Sequence, residues 1–164
     1  MENFMLSRRG LLLATGAVGL SGVARAVAPD SVKTTPVNTL GSDQTLAIRG
    51  YDPVAYFRDG GPRKGLKEHS VIRDEAVWRF ASAENRKLFE ADPGRYLPAY
   101  GGFCAYGTSR GYLVKIEPEA WSIVDGRLFL NYDLGVRATW LGDTTTYIAR
   151  ADGLWPKLMD RDIR

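Results

Sequence analysis

The run AWSIVDGRLFLNY, Ala120 to Tyr132, restricts the fold of this chain more than any other stretch. Asp125-Gly126 is the kind of pair that a two-residue type I′ turn requires, because both central residues must take positive φ. Alternating runs ending at Trp121 and Tyr132 flank the pair, so a β-hairpin is predicted here. A second hairpin is predicted in HSVIRDEAVWRFAS, with strands over about 70–73 and 77–80 and a tight turn at Asp74-Glu75.

The segments around the hairpins read as short helices. Asp52 caps and Pro53 opens one that runs to about Phe57. Ser82 caps another over 83–91, with Leu88 and Phe89 on its buried side. Asp92-Pro93 stops that helix and starts a further turn through Tyr96. Gly101-Gly102 permits a sharp bend before helical residues 103–110, and Gly111 forms their left-handed stop. Beyond Tyr132, one or two amphipathic helices carry Trp140, Tyr147, Ile148 and Trp155. There is no βαβ rhythm and no visible internal repeat. The expected class is therefore α+β, one small domain of β-hairpins and short helices.

The N-terminus bears on compartment. Arg8-Arg9 precedes the apolar run Leu11 to Leu20, and Ala24-Arg25-Ala26 follows it. This is the layout of an export signal over 1–26, too short to span a bilayer. The paired arginines resemble a twin-arginine signal, although Leu11 and Leu13 replace its usual Phe and Lys, which leaves ordinary export open. A periplasmic or otherwise exported location is expected, with no membrane span once the signal is cleaved. Residues 27–45 are polar, contain two prolines and lack periodicity, so they read as a flexible tether to a domain over 46–160.

Arg8, Arg9 and Arg25 against Glu2 account for most of the net charge of +3. Without them no clustered basic face remains, which argues against a nucleic-acid partner. Hydrophobic residues make up 45%, with four Trp and eight Tyr, enough for a folded core. A single cysteine excludes an internal disulfide and any multi-cysteine metal site within one chain.

GYDPVAYF, EHS, WRFASAENRKLFEADPGRYLPAYGGFCAYG and DGRLFLNY occur in order across 47–158. In these landmarks the chain resembles the YHS-domain family, specifically its exported subgroup. The resemblance implies a fold like that of metal-binding cysteine-rich modules, and an association with metal. Such modules typically carry D-P-V-C near the start and F-C-S-x-x-C before a helix. Here Ala55, Ala81 and Asn85 stand at the three thiol positions. A soft-metal site depends on thiolate or imidazole ligands, so the family's usual site does not transfer.

Cys104 is then the first candidate site residue, the only sulfur donor besides methionine. At the start of a helix the dipole favours thiolate; as a small apolar residue, free cysteine equally fills buried corners. His69, the only histidine, is the second candidate, and together the two supply two metal ligands where structural zinc takes four. Tyr51, Asp52, Glu68 and Glu117 are oxygen donors without a selecting pattern. Tyr51, Tyr100 and Tyr106 are candidate contacts for a small ligand. Copper or zinc is the leading cofactor expectation, with haem behind it because no C-x-x-C-H site occurs. Three functions follow: a non-enzymatic exported binding protein with a metal or ligand at Cys104 and His69, a thiol enzyme or redox partner using Cys104 as nucleophile, or an adaptor whose metal site has decayed. The sequence names no protein partner.

Overall fold

A computed structural model describes residues 35–43 and 45–160. The expected export signal at 1–26, and the tether over 27–34, lie outside the described residues. Among the described residues no helix is long and apolar enough to cross a membrane.

Helix α1 (Ala55–Arg58) precedes a hairpin of β1 (Leu66–Arg73) and β2 (Ala76–Phe80). Helices α2 (Ala83–Ala91) and α3 (Pro93–Tyr96) follow, then α4 (Ala105–Ser109). A second hairpin, β3 (Glu117–Val124) and β4 (Arg127–Asn131), leads to α5 (Leu134–Leu141) and α6 (Thr144–Leu158). The two sheets are separate antiparallel pairs. This is a small α+β domain, as the turn chemistry requires. Asp74 and Glu75 take φ of 50° and 60°, and Asp125 and Gly126 take 49° and 73°, the signs of type I′ turns at both tips. Ser82 accepts a hydrogen bond from the Asn85 N–H, and Asp92, Asp133 and Asp143 cap α3, α5 and α6 in the same manner.

Two apolar clusters form the core. Trp78, Phe80, Phe89, Tyr56, Leu128 and Leu130 belong to the larger. Tyr100, Ala105, Phe129, Trp140 and Ala151 form the other, under α6. Tyr106 packs against both. Outside the second cluster Arg127 makes a bidentate pair with Asp152, which also accepts a hydrogen bond from the Tyr100 hydroxyl at 2.9 Å. This clasp holds α6 to β4.

The packed chain begins earlier than the tether reading expects. Val37 packs against the larger cluster, and Asn38 is buried. The Asn38 side-chain amide donates to the Gly102 carbonyl at 2.9 Å, and its backbone N–H donates to the Gly101 carbonyl at 2.8 Å. Periodicity misses this segment because two residues anchor it, not an apolar stripe. Gly101 and Gly102, with φ of 60° and 82°, make the bend that receives it. A Cβ on Gly101 would lie 1.9 Å from the Pro36 carbonyl oxygen, so backbone occupies the place of a side chain.

Two outcomes are expected. Gly101→Ala destabilises by more than about 1 kcal/mol through its φ and this contact, read from denaturant midpoints. The Arg127 hydrogen bonds hold the Asp152 carboxyl below its ordinary value, against burial. A depressed folded value stabilises above the unfolded value, about 3.9, and that stabilisation is lost as pH falls through the folded value. Asp152→Asn should therefore flatten the acid limb of melting temperature against pH, by about 1 kcal/mol or less because the pair is partly exposed.

Candidate functional site

The Asp52 carboxylate accepts four hydrogen bonds and is 0% exposed. One carboxylate oxygen accepts from the backbone N–H groups of Val54 at 2.8 Å and Ala55 at 3.3 Å, at the start of α1. The other accepts from the Ala81 N–H at 2.8 Å and the Asn85 side-chain amide at 2.7 Å, at the junction of β2 and α2. A buried carboxylate is tolerated only when donors replace its water, and here four do. Ala55, Ala81 and Asn85 are the three positions at which the resemblance would place thiols. The fold brings them together around a carboxylate, and only Asn85 contributes a side-chain donor atom.

Cys104 lies elsewhere, at the N-cap of α4, and is 1% exposed. Its sulfur accepts a hydrogen bond from the Gly107 N–H at 3.3 Å, and the thiol donates to Asn131 Oδ1 at 3.8 Å. The Tyr106 N–H also donates to that oxygen, at 3.2 Å, which fixes the orientation of the amide. Burial pushes the thiol above its ordinary value, outweighing the backbone N–H groups of Gly107, Tyr132 and Tyr106 that act the other way. Of the two sequence readings of Cys104, this favours the buried small residue over the thiolate favoured at a helix start. Helix α4 has five residues, too few for a large dipole, and the apolar cluster around the sulfur disfavours charge.

His69 is half-buried in the middle of β1, and no hydrogen bond joins it to Cys104. Among the described residues no three His, Cys, Asp or Glu side chains are placed to hold a metal. The three tyrosines serve different places. Tyr51 packs on the larger cluster with Lys64 Nζ over its ring at 5.5 Å. Tyr100 is in the smaller cluster, its hydroxyl on Asp152. Tyr106 meets Tyr147 edge-on at 5.1 Å and lies under Arg110. Each is held by protein neighbours.

An open groove of about 510 Å³ is lined by Glu117, Glu119, Asp133, Leu134 and Gly135, and contains none of the predicted site residues except Glu117. Glu117 is engaged there by Arg49 and by Lys115, whose hydrogen bond is the main cause of its lowered pKa. Sequence reading missed Asn85 and Asn131 as site residues, and gave Asp52 a capping role and a place among four unselected oxygen donors. Spacing carries no trace of Asn131, because a hairpin end places it. The chain matches no family model, no curated protein and no solved structure.

Cys104 should resist iodoacetamide in the folded protein at neutral pH and alkylate stoichiometrically once unfolded, as read by intact mass; rapid alkylation of the native state is the opposing outcome. Asp52→Ala leaves four buried donors without an acceptor, and should lower stability by about 3 kcal/mol or more in denaturant titrations.

Proposed function

We propose that this chain is an exported, non-enzymatic YHS-type module that works as an adaptor, its ancestral metal site having decayed. One arrangement carries the reading: the three positions where metal-binding members of the family hold thiols surround Asp52, and its hydrogen bonds occupy the place a metal would need. A carboxylate with four N–H donors does locally what a metal centre does in a small cysteine-rich module: it ties a loop, a strand end and a helix start to one point. The remaining thiol supports the same view, since Cys104 is closed off from solvent and its thiol donates to the Asn131 amide. That environment also disfavours a thiol enzyme, which needs an accessible thiolate. On this reading the module meets its partner through its folded surface.

The test is metal content and linkage. Protein purified from its export compartment should carry copper and zinc well below one equivalent and show no haem absorption. Its melting temperature should not move on adding Cu(I), Zn(II) or haem. Stoichiometric metal, or a metal-induced rise in melting temperature that Cys104→Ala abolishes, would overturn the reading in favour of a metal-binding protein.

A further inference from the structure

The absence of a visible sequence repeat conceals a repeated structure. Ala47–Gly50 and Ala99–Gly102 are both tight turns with left-handed φ, at Ile48, Arg49 and Gly50 in one and at Tyr100, Gly101 and Gly102 in the other. Asp52 and Cys104 each stand two residues past their turn, and each caps a short helix, α1 or α4. A hairpin with a type I′ turn follows in both cases. Each has one irregularity of the same form: Leu66 pairs with Phe80 and Ser70 with Arg79, as Glu117 pairs with Asn131 and Trp121 with Leu130.

The match extends past the hairpins. Ser82 caps α2 as Asp133 caps α5, and Asp92 caps α3 as Asp143 caps α6. The strand-to-helix aromatic pair Trp78–Phe89, at 5.7 Å and 31°, has a counterpart in Phe129–Trp140, at 5.1 Å and 39°. Every one of these features recurs in the same order with nearly the same spacing. Turns, caps and hairpins are common, but a shared register irregularity and a shared aromatic pair are not expected from two unrelated halves.

We propose that the domain is a tandem of two copies of one half-domain, and that Cys104 occupies in the second copy the place of Asp52 in the first: a hydrogen-bond acceptor in a nest of backbone N–H groups. The positions of the donors correspond, and one of them donates in the same way in both copies. Val54 and Ala55 give their N–H groups to Asp52; Gly107, the counterpart of Ala55, gives its N–H to the Cys104 sulfur at 3.3 Å, while Tyr106, the counterpart of Val54, gives its to Asn131 Oδ1, which also accepts from the thiol. Ala81 donates to Asp52 from just past the end of β2, and Tyr132 stands at the same place past the end of β4.

The fourth donor differs. Val136 stands at the place of Asn85 and brings no polar atom. Asn131 supplies the second copy's amide instead, from β4. Its Nδ2 is buried and has no hydrogen-bond partner, while its Oδ1 accepts from the thiol and from the Tyr106 N–H. A neutral thiol uses the oxygen of that amide; a carboxylate in its place would use the nitrogen, as Asp52 uses Asn85.

The alternative is that Cys104 merely fills apolar space, and the two ideas rank substitutions in opposite order. In Cys104→Asp and Cys104→Ser the acceptor is kept; in Cys104→Val apolar volume is kept and the acceptor lost. We expect at least one of the first two to keep amide exchange protection at Gly107, whose N–H the sulfur accepts, within about tenfold of the parent protein. Cys104→Val should lose more than about tenfold at the Gly107 amide, with a lower melting temperature. Should Cys104→Val match or exceed both acceptor variants in protection and melting temperature, Cys104 is a space-filler and the correspondence with Asp52 falls. A failure of the metal reading leaves this ranking untouched, because it concerns the thiol's hydrogen bonds alone.

Discussion

The buried carboxylate of Asp52 is the interaction on which the first half of this fold depends. Its four donors come from the start of α1, the end of β2 and the first turn of α2. No apolar contact could join these places so specifically, since burial is non-directional whereas each hydrogen bond fixes an angle and a distance. Trp78, Phe80 and Phe89 then pack at a hairpin–helix angle already set, and their rings meet at 5.0 to 5.7 Å. The aromatic cluster supplies bulk stabilisation; Asp52 determines which arrangement it stabilises.

The same division of labour holds in the second half with weaker parts. Cys104 makes longer, softer hydrogen bonds than a carboxylate, and Asn131 leaves one donor idle. Compensation comes from outside the nest. The Arg127–Asp152–Tyr100 clasp secures α6 over the smaller cluster, and Asn38 fastens the incoming chain to the glycine bend beside Cys104. The less strongly hydrogen-bonded half is the one with additional chain laid across it.

Much of the fold was legible because local chemistry decides it. Asp125-Gly126, Ser82 and Asp92-Pro93 act within four residues of themselves, and each does in the structure what its type implies. The candidate site was less legible, because its geometry is non-local. Asp52 could be recognised as a cap, but not as the acceptor for Asn85, which arrives from another helix. Cys104 could be placed at a helix start, but the burial that governs its thiol comes from strands and aromatics far along the chain. The repeat escaped for a related reason. Its copies share turn signs, caps and pairing register, which many residue types satisfy, so Phe89 against Trp140 or Ala81 against Tyr132 preserves the geometry while erasing the sequence match.

Duplication also offers a physical reason for a metal site to become dispensable. A module of half this size buries too little apolar surface to fold securely alone, and such modules commonly rely on metal or disulfides. A structural zinc site can contribute about 10–16 kcal/mol of folding free energy in a small domain. Joining two copies lets each cover the other's apolar face. Leu128 and Leu130 of the second hairpin lie in one cluster with Trp78 and Phe80 of the first. On the proposed reading of a decayed metal site, once the shared core carries the fold, thiolates at positions 55, 81 and 85 would no longer be needed to hold the first half closed. A single carboxylate that orients the same three segments is then sufficient, and a lone buried thiol can do the equivalent task in the second.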